Sequence, residues 1–409
     1  MAVNEVLKEV WGGMRSLDAK RKVAVLFAIM LLVYGIGIIA DMTYLSKDVA
    51  PDLSHPDIPR YRDRAQTIID GGLLYRDVHT ETPPLINYLL VPAQLMGGAD
   101  HIWVWSVYFS IFVFFISVTL YLSFRRIDEN KAFLMAILVV LCPFLISESS
   151  IGEDESIMVF TFILAAILMF YDRKKLSAIA ITAGIWTKMF PILLLPTEFL
   201  RQKRWQDRSA LIAIVAAVTL LITGAFLILC YEDFTYFLNF YFLGDSNRPT
   251  GGQSIWHFLR MGGLELPRLL ELGLVGGGLL LAYLYCHIKK IGVWESITVS
   301  TLVFFILYPK VHTGYYAIIF VMLAAWAVDN KAIALRIYLS FFPILASVAF
   351  SELESGETFI SFDGSWIIGL VLNLTGTVLL VDATRLALKR RPFIYNEHKH
   401  GLIEVEEVA

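Results

Sequence analysis

Four residues in this chain combine a reactive side chain with an unusual setting. Asp57, Glu153 and Asp154 are carboxylates in polar segments bounded by apolar runs, and Lys188 stands among Ile185, Trp186, Met189 and Phe190. A carboxylate within reach of a hydroxyl can take its proton as a general base. A cation beside a growing negative charge neutralises it. A Lys at the centre of a bilayer costs about 2.5–3.5 kcal/mol on insertion scales, so such residues face a cavity and mark function. Each also has a plainer reading. Asp57 precedes Pro59 and suits a helix cap. Glu153 and Asp154 suit a solvated acidic turn. Lys188 suits a side chain that reaches out to the interface. Lys310 and His312, between two apolar runs, either contact an anion or hydroxyl groups or form an ordinary polar turn.

The elements that must hold these residues are membrane helices. Of 409 residues, 57% are hydrophobic and only 17% charged, where soluble domains carry about 25% charged residues. Mean hydropathy is +0.64. Val23–Ala40 has no charge over 18 residues and Ala210–Tyr231 none over 22, close to the ~20 that a helix needs to span. A β-barrel would show short alternating segments instead. The net charge of −3 gives no case for nucleic acid. The three cysteines, Cys142, Cys230 and Cys286, sit inside apolar runs and read as small buried hydrophobes. No cleavable signal peptide is apparent.

Apolar segments fall near 23–40, 102–123, 132–146, 156–171, 210–231, 269–286, 293–308, 314–328, 337–350 and 366–382. Lys and Arg cluster in alternate loops, which places those loops in the cytoplasm. The stretch 176–200 has basic residues at both ends, Arg173–Lys175 and Arg201–Arg208. A single crossing there would reverse every later loop. Its length makes only ~37 Å of helix, too little for two full crossings. The expectation is two short half-helices broken around Lys188–Pro191. The fold class is thus all-α and polytopic, with about twelve transmembrane helices counting the two half-helices. Residues 1–22 form a cytoplasmic N-terminus, 23–384 one transmembrane domain and 385–409 a cytoplasmic tail. The loops 147–156 and 351–365 carry four acidic residues each and no basic ones, which suits the outer face.

The first outer segment, about 41–101, is the longest. From Asp57, the residues Ile58, Tyr61, Ala65, Ile68 and Ile69 follow helical spacing, with Arg60, Arg62, Asp63, Arg64 and Asp70 on other faces. The pattern predicts an interfacial helix ended by Gly71-Gly72. A second short helix is expected over 84–96, with Thr82 as its cap. Glu81 is expected to pair with Arg60 or Arg76 and so organise the loop. Arg248, in a loop whose Gly251-Gly252 suggests mobility, is a further candidate, with gating as its expected role.

These segments together resemble the GT-C class of glycosyltransferases, membrane enzymes that take a sugar from a polyprenyl-phosphate carrier. The resemblance rests on Asp57-x-x-Arg60-Tyr61, Leu74-Tyr75-Arg76-Asp77, Glu81-x-Pro83-Pro84-Leu85, the acidic run Glu153-Asp154-Glu155, and Gly184…Lys188-x-x-Pro191. Tyr308-Pro309-Lys310-Val311-His312-x-x-Tyr315-Tyr316 is similar to a late motif of the polyprenyl-phosphate-mannose-dependent α-mannosyltransferase branch. The resemblance implies Asp57, Glu153 and Asp154 as catalytic carboxylates. It implies Lys188, Lys310, His312 and Arg60 at the donor phosphate, and Glu81, Arg248 and Tyr315 toward the acceptor or the loop. The expected partners are a polyprenyl-phosphate (dolichyl-type) hexose donor, with mannose as the sugar, a lipid- or glycan-linked acceptor, and membrane lipids. The implied location is the plasma membrane with the site facing outside. Ile58 follows Asp57 where many relatives have a second acid, so a divalent metal stays an open alternative without paired-carboxylate support, and no cofactor is assigned. The alternative is a secondary transporter or flippase of a lipid-linked glycan, since broken helices also build transporter sites. A glycan polymerase or ligase is a third reading. No P-loop or dinucleotide fingerprint appears.

Overall fold

A computed structural model describes residues 12–46, 55, 57–238, 251–351 and 358–395. The helices run α1 Ala19–Ala40, α2 Asp57–Ile69, α3 Pro84–Ala93, α4 Ile102–Phe124, α5 Glu129–Val140, α6 Pro143–Ser150 and α7 Glu155–Phe170. They continue as α8 Lys174–Lys188, α9 Leu194–Arg201, α10 Trp205–Leu229, α11 Tyr231–Leu238, α12 Ile255–Met261 and α13 Arg268–Ile288. The last are α14 Val293–Leu307, α15 Tyr316–Ala327, α16 Lys331–Val348 and α17 Ser365–Ala387. Among the described residues the only paired strands are β1 Gly251–Gly252 and β2 Lys310–Val311, which lie parallel.

Among the described residues six helices are long and apolar enough to cross a membrane, the first of them Ala19–Tyr44. A seventh crossing results if α5 and α6, which meet at 43°, act as one. Their bend has a local cause. Cys142 precedes Pro143 and is held extended, φ −64° and ψ 115°, because the proline ring disfavours helical backbone before it. Helix α15 is the post of the bundle. All twelve of its residues are buried, as expected of a helix that is apolar all round.

The break at Lys188 is a chain reversal. Pro191 enters a short 3-10 turn, Phe190–Leu193, between α8 and α9. A Cβ built on Gly184 would lie 2.7 Å from Pro191 Cγ. Ser177 Oγ donates to Glu198 Oε1 at 3.1 Å. Both pairs straddle Lys188, so the arms run antiparallel and Lys188 caps the tip.

Ion pairs sort the loops into two ends. At one end Lys22 meets Glu129 (3.1 Å), Lys131 meets Asp329 (2.9 Å), Lys174 meets Asp207 (2.9 Å) and Arg336 meets Asp382 (2.5 Å). The hairpin base lies there too, with Arg201 on Glu198 at 2.9 Å. At the other end the first loop meets the second through Tyr61 and Glu153, and β1 meets β2. An odd number of crossings over 174–201 would mix these two groups.

The first loop differs in detail from expectation. Helix α2 spans the predicted residues, but Arg64 is buried in it. Helix α3 stops at Ala93 and passes into a π turn, Gln94–Gly98, where Gly97 has φ 103°. Thr82 is not the cap. Its hydroxyl donates to Asn87 Oδ1 at 3.2 Å, and Pro83 takes the cap position without a side-chain bond.

Single cysteines at the exposed Asp100 and Gln206 should label from opposite faces of sealed vesicles. The native cysteines are buried and should stay silent. Labelling of both sites from one face would overturn the reversal at Lys188.

Candidate active site

The site gathers around the hairpin tip. Helix α7 begins at Glu155, and Glu155 Oε1 accepts from Lys188 Nζ at 3.1 Å. Asp154 accepts from the same ammonium through Oδ1. The side chains of Asp154 and Glu155 are 8% and 7% exposed, and that of Lys188 22%. Two carboxylates therefore share one cation in a place nearly closed to water, where unpaired charges cost several kcal/mol each.

The late turn closes the cluster from the other side. A Cβ on Gly314 would fall 2.5 Å from Glu155 Cγ and 2.7 Å from Glu148 Cγ. Only glycine lets this turn seat on both glutamates. The next residue, Tyr315, packs its ring 4.5 Å from that of Phe190 at the tip. The Lys188 ammonium stands 5.9 Å from the Tyr315 ring centroid, within cation–π range.

The first loop covers the second. Gly152, at φ 83°, sits so tightly on α2 that a Cβ would lie 2.9 Å from Ile58 Cδ1. Tyr61 OH donates to Glu153 Oε2 at 3.4 Å, and Tyr61 packs on Trp105 and Phe109. Asp57 opens α2, where the helix dipole favours a negative charge, and accepts from Arg60 at 3.0 Å. Burial, then the charges of Asp57, Glu155, Glu148 and Asp154, push the Glu153 carboxyl well above the usual carboxylate range. Burial and the same acidic surroundings push the Tyr61 phenol up as well.

The structure thus brings Asp57, Glu153, Asp154, Lys188 and Tyr315 into one neighbourhood. Arg60 is there as the partner of Asp57 and is half exposed. His312 stacks edge-on to Tyr315 at 5.1 Å, and Lys310 runs along Gly251 in the strand pair. Arg248 lies outside the described residues. Glu81 pairs with neither Arg60 nor Arg76. Its partner is Arg64, at 3.5 Å, because α2 turns Arg64 inward, where it also donates to Thr82 Oγ1 at 3.4 Å. Arg76 is held by Asp77, whose carboxyl falls to about 2 through that bond and the Leu73 N–H. Glu148, Glu155, Tyr61 and Gly314 complete the cluster and were not among the expected site residues. Glu155 had a signal, since it continues the acidic run. Glu148 lies on a separate helix, and only the fold reveals its approach. Among the described residues no group of three His, Cys, Asp or Glu could hold a metal ion.

Comparison with solved structures identifies the fold. The fold is similar to that of ArnT from Cupriavidus metallidurans, solved bound to undecaprenyl phosphate, with a TM-score of 0.51. The two chains are 16% identical over 90% of this chain and 77% of that one, so the likeness is one of fold: an integral membrane protein built as a helical bundle. The chain belongs to glycosyltransferase family 87, whose family profile matches residues 82–347. It is therefore a membrane glycosyltransferase. The matched segment contains Glu153, Asp154, Lys188, Lys310, His312 and Tyr315 and begins after Asp57, Arg60 and Glu81. No curated protein matches the chain.

Two substitutions test this geometry. Gly314→Ala should destabilise the protein by about 1–3 kcal/mol, the usual cost of overpacking, read as a lower melting temperature. Glu153 keeps its proton to higher pH when folded, so its contribution is lost as pH rises through the folded value. Glu153→Gln removes that loss. The melting temperature of the variant relative to the natural protein should therefore climb as pH rises above the usual carboxylate range. A pH-independent difference would mean a solvated Glu153.

Proposed function

We propose that this glycosyltransferase moves a hexose, mannose being the sugar favoured by the late motif, from a polyprenyl-phosphate carrier to a hydroxyl of a lipid- or glycan-linked acceptor. The observation that carries the reading is the meeting of the first loop, the acidic second loop and the late turn around one cation at the hairpin tip. A carboxylate for the hydroxyl proton and a cation for the leaving phosphate are what the transfer needs. The undecaprenyl phosphate bound by the structurally similar ArnT supports a polyprenyl carrier here.

In this mechanism Asp57 takes the acceptor proton as the hydroxyl attacks the anomeric carbon. Asp57 is the more exposed carboxylate, at 38%, and lies 3.0 Å from Arg60. Glu153 and Asp154 shape the sugar and acceptor pocket. The ammonium of Lys188 has three N–H donors; two serve Asp154 and Glu155, and the third goes to the donor phosphate, with Lys310 and His312 approaching from the late turn. Glu81, through Arg64, holds the loop that presents Asp57, and Tyr315 serves the acceptor side. One displacement inverts the anomeric centre.

The reading of about twelve membrane segments counts the six long helices and the bent pair together with the three shorter apolar helices and the two hairpin arms. In this arrangement residues 23–384 form the catalytic domain. The tails 1–22 and 385–409 lie in the cytoplasm with the basic loops, and the site faces outside across the plasma membrane.

Purified protein given radiolabelled polyprenyl-phosphate hexoses should transfer label to a lipid or glycan acceptor without a membrane gradient, with mannose the best donor. Failure with every polyprenyl-phosphate sugar would sink the reading. Asp57→Asn should lower turnover by about 10²–10⁴-fold with donor binding retained. Lys188→Gln should raise donor KM and lower kcat together. If Lys188 served its carboxylates alone, adding Asp154→Asn and Glu155→Gln to it would restore activity. The phosphate role predicts no such rescue.

A further inference from the structure

We infer that Gln253 is a positioning residue of the transfer site, acting through Thr313 on the turn that seats against Glu148, Glu155 and Lys188. The inference rests on the transfer reading above and adds a residue that none of the motifs contains. Gln253 follows β1 and is 6% exposed. Its backbone is fixed on both sides: the N–H donates to Val311 O at 2.6 Å, and its carbonyl accepts from Asn373 Nδ2 at 2.6 Å. Asn373 itself is fully buried on α17. The strand beneath is built for close approach. Gly252 has φ 62°, and a Cβ there would fall 2.2 Å from Val311 O. Ser254 Oγ donates to Pro309 O at 2.6 Å. The Gln253 side chain is thus delivered to one place, where Oε1 accepts from Thr313 Oγ1 at 3.1 Å.

Thr313 is also nearly buried, at 6%. The next residue, Gly314, touches both glutamates, and the one after it, Tyr315, lies beside Lys188. Any shift of Thr313 therefore displaces the acidic pair and the cation's aromatic neighbour together. Misplacing a reacting group by ~1 Å can cost about 10²-fold in rate. A buried hydroxyl that loses its acceptor has reason to turn elsewhere. Replacing the Gln253 side chain leaves both backbone bonds intact, so the Thr313 contact is isolated from the brace that carries it.

The test compares Gln253→Leu, Thr313→Val, the double variant and Thr313→Ser in the full chain. Each of the first two should lower kcat by about 10–100-fold with donor KM little changed. The double should lose no more than either single, since both cut the same bond. Thr313→Ser keeps the hydroxyl and should stay near the natural protein. Hydrogen exchange should rise over 308–316 in Gln253→Leu and stay unchanged over 155–170, which separates local displacement from general unfolding. Losses that multiply in the double variant, or unaltered exchange over 308–316, would overturn the inference. If the natural protein turns over no polyprenyl-phosphate sugar, the transfer reading fails, and the exchange measurement alone decides whether Gln253 holds the turn.

Discussion

An ammonium within an apolar bundle has to be paired, and the pairing of Lys188 organises everything at its end of the molecule. Its partners come from the second loop, so the hairpin tip and the start of α7 must coincide. That requirement fixes the hairpin's depth. It also fixes the late turn, which reaches the same carboxylates only because residue 314 has no side chain. The excess of acid over base there is tolerable because the groups are not equivalent. Asp154 and Glu155 share the cation, Asp57 has Arg60, and the Glu153 carboxyl, pushed up by burial and its acidic neighbours, accepts from Tyr61 OH.

The surrounding frame works by rigidity. Helix α15 is buried along its whole length and begins at the late turn, so the turn is anchored to the stiffest element of the bundle. Helix α2 lies across this end and packs Ile58, Tyr61 and Ala65 on Trp105 and Phe109 of α4. The first loop is thereby tied to a spanning helix as well as to Glu153. Precise placement of polar groups here depends on apolar packing that makes no contact with them.

Much of this was legible in the sequence because membranes impose simple rules. Long uncharged runs gave the helices, and the basic loops on either side of 176–200 demanded an even number of crossings, which the Ser177–Glu198 and Gly184–Pro191 contacts realise. Lys188 was visible as a charge in an improbable place, and Asp154 as one member of an acidic run beside Glu153. Partner choice was not visible. Glu81 meets Arg64 because of how α2 rotates on α4, and rotation depends on tertiary packing. Thr82 looked like a cap but bonds Asn87 instead. Glu148 and Gln253 were hidden for the same reason: each is an ordinary polar residue locally, given meaning by a segment distant in the chain.

The hairpin formed by α8 and α9 is neutral with respect to threading. It leaves and rejoins the bundle at the same end, closed at its base by Ser177 and Glu198. Trimming or lengthening it changes how far the tip reaches and leaves the direction of every later helix as it was. An ordinary spanning helix has no such freedom, since its loss would turn the remainder of the chain upside down. The part of the fold that sets the depth of the cation is therefore a part that can be resized without reversing the helices that follow, provided the tip still meets the start of α7.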